Sequence, residues 1–252
     1  MRRVVLLAAV MPLLLSAADG AMVPAPIRGK EFSLTRLPSR RDVSSVAVIF
    51  LPGDGGWRGA AVAMSRTIAA WGYDVYGFDT KRYLEAFTGT GEKLSRAVLA
   101  SDVRLVASQV SRATHRPVVL VGWSQGAAMS IAAVSGLKEA APIAGVVTLG
   151  LPESGVLGWD WKATLAVLAR REPDQPAFAV KPLLPGAAPL PVWMIHGTED
   201  EFTTIEVARS LFGAAQEPKK LEEIQGANHH FDGHQDELFR SLKKGLLWIT
   251  SN

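Results

Sequence analysis

The sequence contains no cysteine. Disulfides, thiolate metal sites and a cysteine nucleophile are therefore excluded, and no thiol is available to carry a lipid. A chain of 252 residues can bury a large core without covalent staples. Runs of like charge are missing too, since no lysine or arginine run exceeds two residues. The formal charge of +3 falls to +1 once Arg2 and Arg3 are set aside. Nothing here resembles a nucleic-acid footprint, and no nucleic-acid partner is expected. No apolar stretch reaches the ~20 residues that a membrane-spanning helix needs.

What is present is an apolar share of 48% against 20% charge, the balance of one ordinary globular domain rather than a disordered chain. The first residues stand apart. Met1-Arg2-Arg3 is a positive start, residues 4–15 are apolar, and Ser16, Ala17 and Ala18 are small. That pattern reads as a secretory signal peptide over 1–18, with cleavage up to residue 20 as the second choice. The mature domain, 19–252, is then expected outside the cytoplasm.

Strand-like and helix-like segments alternate beyond this point. Residues 45–51 (SVAVIFL), 73–78, 117–121 (PVVLV), 143–149, 191–195 and 221–224 read as strands, mostly near-continuous apolar runs suited to a sheet buried on both faces. Helical spacing covers 59–71, 91–114, 124–137, 203–214 and 235–250. This rhythm predicts an α/β fold with a mostly parallel central sheet and helices on both faces. Residues 152–191 break it. Seven prolines, two tryptophans (Trp159, Trp161) and one plausible helix (161–171) mark a cap or lid insertion.

The segment Gly122-Trp123-Ser124-Gln125-Gly126 matches G-x-S-x-G and sits between a hydrophobic strand and a small-residue helix. That context is a nucleophile elbow, with Ser124 as nucleophile. A serine hydroxyl needs a base. Of five histidines, His229 and its neighbour His230 follow the last predicted strand, where a loop returns to the C-terminal edge of the sheet. His229 is the expected base and His230 the alternative; His196 is expected to pack or bond locally. The acid should lie between serine and histidine in sequence, and Gly197-Thr198-Glu199-Asp200 offers it. Asp200 is preferred, with Glu199 and then Glu201 behind it. The oxyanion donors are expected to be the Gln125 N–H and, from the loop Pro52-Gly53-Asp54-Gly55-Gly56-Trp57, the Asp54 N–H. No lysine follows these glycines as a phosphate loop requires, and no cofactor or metal is expected.

The segments Gly53-Asp54-Gly55-Gly56-Trp57, Asp79-Thr80-Lys81-Arg82-Tyr83, Gly122-Trp123-Ser124-Gln125-Gly126 and His229-His230-Phe231-Asp232-Gly233 resemble the VirJ/AcvB family of bacterial virulence proteins, from about residue 46 onward. The resemblance implies a periplasmic α/β-hydrolase fold. It also implies an activity of some members, hydrolysis of aminoacyl esters of phosphatidylglycerol, chiefly the lysyl ester, and a link to type IV secretion. A lipid or small ester would be the substrate, with transient contact at a membrane surface. Candidate substrate-binding residues are Gly53, Gly55, Trp57, Trp123, Tyr83, Glu85 and Asp232. A lysyl headgroup would want a carboxylate from Asp54, Glu85 or Asp232, and Trp57, Trp159 and Trp161 suit an interfacial anchor.

Overall fold

A computed structural model describes residues 20–41, 44–87, 94–137, 142–158 and 176–251. The expected signal segment 1–18 lies outside the described residues. Ten described strands occur in chain order: β1 (Ala21–Pro24), β2 (Ser33–Leu37), β3 (Ala47–Leu51), β4 (Val75–Gly77), β5 (Val118–Trp123), β6 (Ile143–Leu149), β7 (Ser154–Val156), β8 (Ala177–Ala179), β9 (Val192–Gly197) and β10 (Lys219–Ile224). Eight form one sheet in the order β1-β2-β4-β3-β5-β6-β9-β10. Every pairing from β4 to β10 is parallel, and the two involving β2 are antiparallel.

Side-chain alternation explains why the sheet is covered twice. Ala47, Ile49 and Leu51 of β3, Val118 and Leu120 of β5, and Val192 and Met194 of β9 point into one core. Val48 and Phe50, Val119 and Val121, and Trp193 and Ile195 point into the other. A strand apolar at both parities can satisfy itself only between two helical layers. Helices α3 (Arg96–Thr114), α4 (Gln125–Val134) and α5 (Ile205–Ala214) pack on the first face. Helices α1 (Ala60–Ala70) and α6 (Gln235–Ser251) cover the second.

Two features were not anticipated. The β1–β2 hairpin uses short, half-polar segments (AMVP, SLTRL) that carry little strand signal and gain their order by pairing on the edge of β4. Helix α2 (Thr80–Phe87) buries Tyr83, Leu84 and Phe87, a spacing too brief to register as periodic. Within 152–191, β7 and β8 pair as a small antiparallel ribbon, and a 3-10 helix (Lys181–Ala187) packs beside α4 and α5. The expected helix at 161–171, with Trp159 and Trp161, falls outside the described residues.

Leu120 is fully buried at the centre of the sheet. Leu120→Ala should lower unfolding free energy by about 2–5 kcal/mol, the cost of lost burial plus a cavity. Denaturant titration checks this, and a change below about 1 kcal/mol would contradict the placement.

Candidate active site

Strand β5 ends at Trp123 and α4 begins at Gln125, so one residue makes the whole turn. That residue, Ser124, has φ 53° and ψ −120°, a conformation strained for any residue with a side chain. Its N–H donates to the Leu149 carbonyl and its carbonyl accepts from Ala127 N–H, which hold the strained turn in place. The flanking glycines are required by close approach rather than by dihedral angle. A Cβ on Gly126 would lie 1.9 Å from the Leu51 carbonyl oxygen, and one on Gly122 would lie 2.4 Å from the Gly126 oxygen.

The candidate acid and base, Asp200 and His229, come from neighbouring loops at the C-terminal ends of β9 and β10. Asp200 and His229 are both buried, and the His229 Nδ1–H donates to Asp200 Oδ2 at 2.8 Å. A carboxylate can only accept, so this bond puts the proton on Nδ1 and leaves Nε2 with its lone pair. Asp200 Oδ1 accepts two backbone N–H groups, from Phe202 and Thr203, each at 2.9 Å. Burial by itself would raise the Asp200 pKa. The hydrogen bond and charge of His229, with the Thr203 and Phe202 N–H groups, outweigh it and hold the carboxyl below its ordinary value.

The two loops are fastened elsewhere as well. Glu201 Oε2 accepts the His229 backbone N–H at 3.1 Å, Thr198 Oγ1 accepts Gly226 N–H, and Glu199 N–H donates to the Ala227 carbonyl. Of the alternative acids, Glu199 thus contacts the histidine loop through its own backbone N–H and Glu201 through its carboxylate on the His229 backbone N–H, and only Asp200 meets the imidazole. His230 is exposed and stands edge-on to both Trp123 and His229, without a contact to Asp200. His196, expected to bond locally, is buried with Nε2 at 2.7 Å from the Thr203 carbonyl oxygen.

Ser124 and His229 open onto one cavity of about 750 Å³, which Gly53, Asp54, Gly55, Gly56 and Trp123 also line. Gly53 packs against the serine: a Cβ there would sit 3.3 Å from Ser124 Cβ. Gly56 N–H donates to the Gly53 carbonyl, closing the turn that presents Asp54. Gln125 lies in the first turn of α4, where backbone N–H groups have no intrahelical acceptor. Its side chain turns away and pairs doubly with the Val156 backbone, both bonds 2.9 Å, tying the elbow to β7.

Residues 45–247 match a protein family described as bacterial virulence protein (VirJ). The chain belongs to that family. No curated protein matches the sequence. Among solved structures, the esterase domain of a Rhodothermus marinus protein is 19% identical, with a TM-score of 0.64 over 92% of this chain and 98% of that one. An α/β serine hydrolase homologue from Coxiella burnetii is 16% identical, TM-score 0.65, over 90% and 98%. Est1E from Butyrivibrio proteoclasticus is 15% identical, TM-score 0.64, over 92% and 99%. At such identities the likeness establishes the α/β-hydrolase fold of this VirJ family member.

Four candidate substrate-binding residues lie away from the cavity. Trp57 is half-buried against Gly77, edge-on to Phe50, because the glycine leaves a slot that an indole fills. Tyr83 is fully buried and donates to Asp102 Oδ2 at 2.6 Å, while Arg28 approaches the same oxygen. Burial first, then the bond to Asp102, pushes the Tyr83 phenol strongly upward. Glu85 is exposed and pairs with Lys81, and Asp232 accepts from Asn228 at the surface.

The structure adds cavity residues that sequence reasoning missed. Phe202 is exposed at the rim, 4.9 Å from the His229 ring, and Arg58, Pro152, Glu153 and Ser154 complete the wall. Gly150 borders the imidazole so closely that a Cβ would meet it at 3.0 Å. Adjacency to Asp200 was the one signal available for Phe202; Gly150 and Glu153 carried none. No group of three or more His, Cys, Asp or Glu among the described residues is arranged to hold a metal ion.

Because Asp200 is held below its ordinary pKa, its contribution to stability is complete above the unfolded value of about 4 and fades as pH falls below it. Wild type should therefore exceed Asp200→Asn in stability at pH 7, with the gap narrowing at pH 3. Denaturant titrations at both values check it; an equal gap would contradict the assignment.

Proposed function

We propose that this protein is a periplasmic serine esterase that hydrolyses aminoacyl esters of phosphatidylglycerol through an acyl-enzyme. The observation that carries the esterase reading is the His229 Nδ1–Asp200 contact at 2.8 Å, set on the cavity that also holds the strained Ser124. With its Nδ1 proton committed to Asp200, the imidazole uses Nε2 to take the Ser124 Oγ proton. Oγ then attacks the ester carbonyl carbon. Charge on the carbonyl oxygen is stabilised by the N–H groups of Gln125 and Asp54. As the tetrahedral intermediate collapses, the imidazolium returns its proton to the departing glycerol oxygen, and the aminoacyl group stays on Oγ. Water, deprotonated by the same nitrogen, attacks the acyl-enzyme, and the free amino acid leaves as the serine recovers its proton.

Membership of the VirJ family supports the substrate, through the aminoacyl-lipid activity that the family resemblance implies. The cavity supports it chemically. Asp54 and Glu153 bring carboxylates to the wall around Ser124, and an aminoacyl group carries one or two ammonium charges for them to meet. Of the three carboxylates expected for this task, Asp54 alone borders the cavity; Glu153 takes the place of Glu85 and Asp232. No described helix is long and apolar enough to cross a membrane, so lipid would be reached from the water side. A general carboxylesterase is the second reading, favoured by the Rhodothermus marinus esterase domain that shares this fold.

Purified protein incubated with lysyl- and alanyl-phosphatidylglycerol should release the amino acid. Ser124→Ala should abolish this by about 10⁴-fold or more, and Asp200→Asn should cost on the order of 10⁴ in kcat. Absence of release with faster turnover of short nitrophenyl esters would shift the reading to a general carboxylesterase. Failure to react with a fluorophosphonate would reject a catalytic serine altogether. The periplasmic assignment predicts a mature chain beginning at Asp19 in the periplasmic fraction, read by N-terminal sequencing; an intact Met1 in the cytoplasm would refute it.

A further inference from the structure

Asp200 faces two imidazoles, and the active-site reading above uses only one. His196, the fifth residue of β9, is 1% exposed, and its Nε2 lies 3.5 Å from Asp200 Oδ2, the oxygen that binds His229. The same nitrogen is 2.7 Å from the Thr203 carbonyl oxygen. A carbonyl only accepts, so Nε2 carries the proton and the His196 tautomer is determined.

We infer that His196 is a positioning residue that holds the Asp200 carboxylate in register with His229. Two hydrogen bonds and the longer His196–Asp200 approach together form a circuit. The Thr203 backbone is gripped on both sides of its Cα, the N–H by Asp200 Oδ1 at 2.9 Å and the carbonyl by His196. Asp200 in turn grips His229 through Oδ2. A carboxylate on a loop has two soft side-chain torsions, and either can swing Oδ2 out of line with Nδ1. Pinning the Thr203 backbone to β9, an interior strand of the sheet, restricts that freedom, because the N–H that orients Oδ1 moves less with the loop. The His196 N–H edge also faces Oδ2, at a distance too long for a second strong hydrogen bond but of the sign that favours the ionised carboxylate.

A buried histidine that merely satisfies a nearby carbonyl would influence stability alone. The circuit demands more: the loss should appear in the chemical step. This inference rests on the Ser124–His229–Asp200 reading, and the test separates the two. His196→Met fills the space without a donor, and His196→Gln keeps an N–H at similar reach. With an ester substrate, the Met variant should lose on the order of 10- to 100-fold in kcat with KM little changed, and Gln should recover most of it. The downfield proton resonance of His229 Nδ1–H should move or broaden in the Met variant and return in Gln. A Met variant with kcat per folded molecule and His229 resonance both unaltered overturns the inference, even if its melting temperature falls. Should wild type show neither ester turnover nor fluorophosphonate labelling, the catalytic reading fails, while the His229 resonance still decides whether His196 orients the pair.

Discussion

Helix α4 reaches the central strands at Gly126, where bare backbone touches the Leu51 carbonyl with no room for a methyl group. This contact draws the N-terminus of α4 down onto the end of β3, and three consequences follow from it. The chain must reverse within one residue, which puts Ser124 at positive φ. Gly53, two residues after Leu51, is brought against the serine. The first N–H groups of α4, oriented along the positive end of its dipole, then face the same space as the glycine turn. Backbone strain of about 1–3 kcal/mol at Ser124 is affordable because the surrounding β5, β6 and α4 contacts leave the turn no alternative.

The acid and the base depend on a different constraint, the parallel register of β9 and β10. Ile224 pairs with Gly197, so both strands release their chains at the same level of the sheet. Two loops that leave side by side can be joined by short backbone bonds, and the Thr198, Glu199 and Glu201 contacts do this. Asp200 and His229 therefore meet without long side chains or a large entropic cost. An acid this buried would be expensive without its donors, and it has three.

Burial and ion pairing alone do not mark an acid as catalytic here. Asp74 is as buried as Asp200, and its pKa is also held low: burial opposes the shift, and Arg116, the Ser39 N–H and Arg36 overcome it. Its partners are permanent cations that tie β2 and the start of β5 together. Asp102 likewise joins Arg28 and Tyr83 across α3. What separates Asp200 is a partner that can gain and lose a proton, placed where a cavity meets it.

Much of this was legible in the order of residues. Near-continuous apolar runs such as PVVLV announce a strand buried on both faces, because no other environment satisfies both parities of side chain. Gly122-Trp123-Ser124-Gln125-Gly126 announces the elbow, since only glycine tolerates both close approaches, and the chain order of serine, acid and histidine restricts the other two positions. The sequence by itself therefore determined the parallel strands of the sheet, the tight turn at Ser124 and the loops that face it. Tertiary structure alone decided which side chains border the cavity. Trp57 and Tyr83 read as recognition residues through the family segments that hold them, yet a slot over Gly77 and a buried carboxylate claim them. Gly150 and Glu153, on the loop after β6, and His196, on β9, come from segments about 40 residues apart that meet only because β6 and β9 pair. Sequence spacing reports which face a residue takes within its own element; the cavity is made by how separate elements meet.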